Sequence, residues 1–398
     1  MKRRIVVTGL GVITSLGATK DKFWSNLTMG KSGISETSSF HTSVYSAQRG
    51  GGVKDYKPRV SFSAGMGRAS QFAIDASDEA IDDAGLTRKY IENSRTGVIF
   101  GTTNGESNIL EEIDRIWVEK GESEVWAATI VKYLAASISN NVAYYLKIHG
   151  VSRMIPTACS AGNYSIGYAY DLIRSGKMDI MIAGGSDPLT RYAFAGFGRM
   201  FAMAPDKCQP FDKNRKGMMI GEGAGVLALE DLESAKKRGA NIYCEILGYG
   251  LSCDAHHMTA PKVDGIVSVM EKAIKNSGIK KEDVDYICAH GTGTPMNDKT
   301  ESAAINMVFG DIAKKVSVSS IKSMLGHTMG AASAIEAVAC CLAIRDSIIP
   351  PTINFETPDP ECDIDCVPNV AKKKALNVVL NNSFAFGGNN ACVVLRKI

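Results

Sequence analysis

The strongest constraint on this chain is an alternation, run through twice, of short apolar β-rich stretches with longer helical ones. Residues 4–17 (RIVVTGLGVITSLG) read as a buried strand entering a glycine-rich turn. Residues 69–86 space their apolar side chains as a helix does and stop at Gly85, and residues 96–101 (TGVIFG) are a second strand. An amphipathic helix is expected over 133–148, and residues 178–185 and 223–230 are short β-rich runs. The scheme then restarts. Residues 242–250 predict a strand ending in glycines, 263–277 a helix, 285–290 a strand and 331–344 a helix. Prolines punctuate a loop at 350–351 and 358–360, and strands at 376–380 and 391–395 close the chain. Strands alternating with helices predict α/β layers rather than an all-α or all-β chain. Cys159-Ser160-Ala161-Gly162, with a helix to Ser175, lines up with His327-Thr328-Met329-Gly330, with a helix to Ser347. In that register Ser165 falls on Ser333. The reading is a faded duplication of two halves, 1–241 and 242–398, the longer one carrying insertions.

Composition removes several classes. A 398-residue chain that is 45% hydrophobic and 22% charged buries a large core, so disorder, collagen and coiled coil are excluded. Lys and Arg total 45 against 42 Asp and Glu, and no basic tract stands out, so no nucleic-acid partner is expected. No apolar run reaches the ~18 residues of a membrane span. The N-terminus begins Met1-Lys2-Arg3-Arg4, but Gly9 and Gly11 break the apolar run that follows. A signal peptide is therefore not expected, and the cytoplasm is the expected compartment. Ten scattered cysteines without a CxxC pair suit reduced thiols. The six histidines form no HxxxH or His/Cys cluster, so no metal site is expected.

Four segments could carry chemistry. Cys159 stands in Thr157-Ala158-Cys159-Ser160-Ala161-Gly162, ahead of a helix with Ile166, Ala169 and Ile173 on its apolar face. A helix N-terminus there would favour a thiolate, while a plain buried cysteine would explain the same residues. His290 ends a strand and is followed by Gly-Thr-Gly-Thr-Pro, which places it at the carboxyl edge of a sheet, where α/β folds put their sites. A hydrogen-bonded turn histidine is the plain alternative, and the spacing fits neither nucleotide-binding glycine pattern. Lys322 and His327, five residues apart, precede an apolar helix whose Glu336 needs a partner, and Lys322 is the natural one. Residues 382–390 (NSFAFGGNN) make a glycine-rich turn between strands, either a hairpin or a source of backbone N–H groups and Phe gates.

Together, TACSAG (157–162), AHGTGTP (289–295) and IKSMLGHTMGAA (321–332) form a specific set. With VVTGLGVITSLG (6–17), PFDKNRKGMMIGEGAG (210–225) and the Phe-Ala-Phe-Gly-Gly turn, the chain resembles, over nearly its whole length, the β-ketoacyl-acyl carrier protein synthases of the thiolase superfamily, the elongating synthase II type most closely. The resemblance implies a five-layered αβαβα thiolase-like fold of two pseudo-duplicated halves, usually dimeric. It implies that Cys159 takes an acyl group from acyl carrier protein, and that His290 and His327 hydrogen-bond the thioester carbonyl of malonyl-carrier protein as CO2 leaves. The carbanion would then attack the acyl group, its oxyanion held by the N–H groups of Cys159 and Phe386. Lys322, held by Glu336, would keep the histidines oriented and neutral. Thr292 and Thr294 would contact the pantetheine arm, and Met218, Phe384, Ala385 and Asn389 would shape the acyl site. No metal or dissociable cofactor is implied; the partners are acyl carrier protein and either a second copy or a chain-length-factor-like subunit.

Departures from the family pattern gather near acyl entry. Met218 stands where an aromatic is common and Lys216 where an acid is. Ala385 and Ser333 replace glycines, Asn389 a threonine, and Phe201 an arginine that often contacts the carrier, with Arg199 close by. The flexible, polarizable Met218 suits a rigid conjugated chain, which tilts the expectation toward a polyketide or polyene pathway over fatty-acid elongation. A chain-length-factor subunit would lack the nucleophile. A coenzyme A-dependent biosynthetic thiolase would carry a second catalytic cysteine near the C-terminus, where this chain has Phe386-Gly387-Gly388 and a strand cysteine, Cys392.

Overall fold

Ten strands form one hydrogen-bonded set: β1 (Ile5–Thr14), β2 (Thr96–Gly101), β3 (Ser152–Ile155), β4 (Ile180–Asp187), β5 (Gly223–Asp231), β6 (Cys244–Cys253), β7 (Tyr286–Cys288), β8 (Ser317–Ser319), β9 (Val378–Phe384) and β10 (Asn389–Arg396). The computed structural model describes residues 3–54, 56–63 and 65–398; Met1 and Lys2 of the N-terminal basic run lie outside the described residues. The spatial order is β8-β7-β9-β10-β6-β1-β5-β4-β2-β3. The set divides at a narrow seam, where Ile5, Val6 and Val7 of β1 pair antiparallel with Ile246, Glu245 and Cys244 of β6.

Counted outward from that seam, the first half reads β1, β5, β4, β2, β3 and the second β6, β10, β9, β7, β8. Each strand of the first half therefore has its counterpart five strands later. Strand directions repeat as well. In each half the two pairings nearest the seam are antiparallel and the two outermost are parallel. The expected duplication is thus written into the topology.

Helices supply the other layers. Those that build the layers or the site are, in chain order, α1 (Arg68–Asp83), α2 (Ala136–Leu146), α3 (Ala161–Arg174), α4 (Arg191–Arg199), α5 (Val263–Ser277), α6 (Pro295–Phe309) and α7 (Ala332–Asp346). α1 and α2 cover the outside of the first half, and α5 and α6 that of the second. α3 and α7 lie between the halves and touch strands of both, which completes the αβαβα sandwich. Every α7 residue through Ile344 is buried, as a helix with apolar side chains all round requires. The two central helices approach closely because Gly162 lacks a side chain. A Cβ there would lie 2.6 Å from the Ala334 nitrogen and 2.8 Å from Ser333 Oγ.

The structure corrects the register expected for the repeat. The short 3-10 turns Ala158–Ser160 and Met329–Ala331 each lead into a central helix. Ala158 and Met329 share a left-handed backbone, with φ of +49° and +53°. Equivalence therefore pairs Ala158 with Met329 and Gly162 with Ser333, three residues later than the sequence alignment put it. The alignment matched Cys159 to His327 because both precede glycine; the backbone shows that His327 stands before the turn and Cys159 inside it.

Candidate active site

The Cys159 turn is held from behind. Pro156 ends the extended chain after β3, and Ala158 turns it through the left-handed region into α3. The Cys159 carbonyl accepts hydrogen bonds from Ser383 Oγ at 2.9 Å and Ser333 Oγ at 3.3 Å. Ser333 Oγ in turn accepts from the Asn163 N–H at 3.0 Å, in the first turn of α3. With its carbonyl fixed, the side chain projects into a cavity, and the N–H groups of Cys159 and Phe386 both reach its sulfur. The thiolate expected from the helix N-terminus is not what this environment favours. Burial pushes the thiol up to about 11, and the Lys322 cation and the two N–H groups only partly offset it.

His290 follows β7, and its position is set through its backbone. The N–H groups of His290 and Gly291 donate to the Glu301 carboxylate of α6, at 2.9 and 2.8 Å. Asp298, one turn earlier on α6, accepts from Phe211 N–H at 2.8 Å and Gly293 N–H at 3.2 Å, which shapes the Thr292–Thr294 loop. His327 is fixed by its ring: Nδ1 accepts from the Met329 N–H at 3.1 Å, so its proton sits on Nε2, which has no partner among the described residues. The His290 and His327 rings stand edge to face, 5.4 Å between centroids. Burial first, and then the Lys322 cation, hold both well below the ordinary histidine range, so both are neutral near pH 7.

Lys322 donates to Glu336 in a fully buried ion pair behind the histidines. Burial raises Glu336 to about 7 even beside that cation, and its second oxygen has no partner among the described residues. Asp187, raised by burial to about 7, accepts from the N–H groups of Thr103, Asn104 and Gly330 and from Thr102 Oγ1, tying the loop after β2 to the entry of α7. Sequence reading missed Glu301, Asp298, Asp187 and Ser383. All four act on backbone groups outside their own element, and only the serine beside the Phe turn stood in a segment already of interest.

The Cys159 sulfur and one nitrogen each of His290 and His327 lie within 4.8 Å of one another. Such a thiol–imidazole set has the chemistry of a soft or borderline metal site. The neighbouring Lys322 cation, felt by all three groups, opposes a second positive charge there. The three side chains line a cavity of about 310 Å³, together with Thr292, Thr294, Met218, Phe384, Ala385 and Phe386. Thr292 and Thr294 hydroxyls bond each other at 2.8 Å. The Phe386 ring packs on Phe197, 5.7 Å between centroids, above Gly387 and Gly388 with φ near +80°. Asn389 is the exception: it opens β10, its carbonyl accepts from the Ala385 N–H at 3.1 Å, and it is not on the cavity wall. Cys392 is buried in β10, away from the cavity.

Comparisons with known proteins show the family. The profile of the beta-ketoacyl synthase N-terminal domain matches residues 2–235, and that of the C-terminal domain residues 243–356. The chain is 41% identical to 3-oxoacyl-acyl-carrier-protein synthase 2 of Synechocystis sp., over all of this chain and 98% of the relative. Among solved structures, the ishigamide ketosynthase/chain length factor superposes with a TM-score of 0.97 at 44% identity, each chain covered completely. A type II PKS acyl-carrier protein in complex with its ketosynthase gives 0.93 at 35% identity, again over both whole chains. With motifs, strand order and full-length similarity pointing the same way, the chain belongs to the beta-ketoacyl synthase family.

Proposed function

We propose that this chain is a condensing acyltransferase. It joins an acyl group held on Cys159 to malonyl-acyl carrier protein, giving 3-oxoacyl-carrier protein in type II polyketide, polyene or fatty-acid biosynthesis. The observation that carries the reading is the convergence of one thiol and two neutral imidazoles within 4.8 Å, at a cavity where two backbone N–H groups reach the sulfur.

In the first half-reaction Cys159 attacks the carrier-bound thioester; its S–H proton ends on the departing pantetheine thiol. The oxyanion of the tetrahedral intermediate rests on the N–H groups of Cys159 and Phe386. Malonyl-carrier protein then enters, its arm running past Thr292 and Thr294. His327, protonated on Nε2, and His290 donate to its thioester carbonyl while the C–CO2 bond breaks and the electron pair passes into the enolate. The enolate carbon bonds to the acyl carbon, the C–S bond to Cys159 breaks, and the released thiolate takes a proton from water, the one proton the condensation consumes. A thiol favoured up to about pH 11 is a good acceptor for it. Burial first, and then Lys322 held by Glu336, keep both imidazoles neutral, as donors to a carbonyl must be if the enolate is not to be quenched by an acid. Met218, Phe384 and Ala385 shape the acyl site; the flexible Met218 supports a conjugated polyketide or polyene chain.

The substrates bring phosphopantetheine with them on the carrier, and no dissociable cofactor enters the scheme. The halves 1–241 and 242–398 supply the nucleophile and the two histidines respectively. Two subunits would associate, as a homodimer or with a chain-length-factor-like partner, the pairing named for the ishigamide relative. All ten cysteines are free, which supports a reducing, cytoplasmic setting; among the described residues no helix is long and apolar enough to cross a membrane. The test is direct: incubation with acyl-carrier protein should leave the acyl mass on the Cys159 peptide, and Cys159→Ala should abolish adduct and condensation together. A wild-type chain that stays unacylated would overturn the reading.

A further inference from the structure

Helix α3, entered through the Cys159 turn, has no side-chain cap of its own. Ser160, the residue in the capping place, turns its hydroxyl back to the Thr157 carbonyl at 2.9 Å and gives nothing to the first-turn N–H groups. One of these, the Asn163 N–H, lies in the buried interior, where a donor needs a partner. The partner comes from the other half of the molecule. Ser333, in the first turn of α7, accepts from the Asn163 N–H at 3.0 Å and donates to the Cys159 carbonyl at 3.3 Å. Ser333 is itself anchored. The Asn381 side-chain amide of β9 donates to the Ser333 carbonyl at 2.8 Å and to Asn163 Oδ1 at 2.9 Å. Asn163 Nδ2 returns a bond to the Asn381 carbonyl at 2.9 Å. All three residues are fully buried. A buried polar network of this kind favours one arrangement, because moving any member leaves polar atoms unpaired.

We propose that Ser333 is a positioning residue for the nucleophile: its hydroxyl caps α3 from the opposite half and sets where the Cys159 N–H meets the oxyanion. The proposal rests on the condensing reading above, and it concerns a position where the family pattern has glycine and so supplies no role. The two N–H groups that reach the Cys159 sulfur belong to Cys159 itself and to Phe386. Phe386 lies three residues beyond Ser383, whose hydroxyl donates to the same Cys159 carbonyl at 2.9 Å. That carbonyl therefore ties the two parts of the oxyanion site together. Ser383 alone would hold it by a single bond from β9; Ser333 adds a second bond from α7 and fixes its direction. Ser333 is not on the cavity wall, so its effect passes through backbone geometry.

The test separates two reactions of one sulfur. Acylation by a carrier-borne thioester builds an oxyanion that both N–H groups must meet, whereas alkylation by iodoacetamide builds none. Ser333→Ala should lower the single-turnover acylation rate at saturating donor about tenfold, with alkylation within about threefold of wild type. The donor concentration giving half the maximal rate should stay within about twofold, because no substrate contact is lost. Asn381→Ala, which frees the Ser333 carbonyl and keeps the hydroxyl, should show the same split at smaller size. In a Ser383→Ala background, Ser333→Ala should cost more than it does alone, since the carbonyl then has no anchor. Unchanged acylation in Ser333→Ala would overturn the proposal. So would equal losses in acylation and alkylation in either variant, the mark of a turn that only loosens, or a Ser333→Ala cost no larger in the Ser383→Ala background. A wild-type Cys159 that is alkylated but never acylated would instead overturn the condensing reading.

Discussion

Ala158 holds a left-handed backbone immediately before the nucleophile, and the two serine hydroxyls on the Cys159 carbonyl lock that geometry in place. Ala158→Gly removes the steric cost at that φ while adding freedom to the unfolded chain. It should leave stability unchanged or raise it by about 0.5–1 kcal/mol, while lowering the acylation rate several-fold as the turn loosens. Thermal melts and single-turnover acylation check the two effects. The thiol itself gives a second test. With the Cys159 group pushed up to about 11, its alkylation by iodoacetamide should climb about tenfold per pH unit through the neutral range, with no plateau below about pH 10. A plateau near pH 7 would show the thiolate that a helix N-terminus alone would favour. At this scale the sequence was informative where chemistry sits in the side chain: Cys159, His290, Lys322 and His327 stand in glycine-containing motifs, and Glu336 is an acid in an otherwise apolar helix. It was silent where a side chain serves the backbone of another element, as Glu301 and Ser383 do. Ser333 stood out in the sequence as a replaced glycine and as a register mark of the duplication; its contact with the Cys159 carbonyl needed the fold to be seen.

α3 and α7 meet where Gly162 faces Ser333 and Ala334, so the side chain added by Gly162→Ala has backbone in its way. The variant should lose about 1–3 kcal/mol in chemical denaturation. Gly196, in α4 with open space around it, is the control: Gly196→Ala should gain about 0.5–1 kcal/mol from helix propensity alone. Long periodic elements such as α1 and α5 were readable from apolar spacing, and α7 from the length of its apolar run. β3 and β8 were not, because four- and three-residue strands at the sheet margins are too short to show a period. α6 escaped for another reason. It buries Asn297, Asp298 and Glu301 to serve the catalytic loop, so polar residues occupy the face that normally announces a helix as apolar.

Across the whole molecule, buried ionisable groups oppose one another in pH dependence. Asp187, Glu301 and Glu336 are raised to about 7, so the folded chain holds protons that the unfolded chain releases above about pH 4.5. Their contribution to stability is full at low pH and falls as pH rises toward 7. His290 and His327 are lowered, so the unfolded chain binds protons that the folded one refuses; their contribution rises with pH up to about 6.5 and then stays level. Glu301→Gln removes one of the falling terms. The difference in Tm between variant and wild type should therefore move in the variant's favour from about pH 5.5 to about pH 8. The reverse trend would contradict the buried-carboxyl assignment. The same scale shows what the sequence could give of the duplication. Its existence was visible in glycine-led helices; its register was not, because only the paired left-handed residues Ala158 and Met329 identify equivalent turns.

The claim on which the rest depends is that His290 and His327 act together on the malonyl thioester beside an acylated Cys159. Release of CO2 from malonyl-carrier protein, measured with acyl occupancy of Cys159 followed by mass spectrometry, tests it most directly. His290→Ala and His327→Ala should each keep the acyl adduct while CO2 release falls by about 10²–10³-fold, the effect of removing one placed donor. Release at the wild-type rate from either variant would contradict the account.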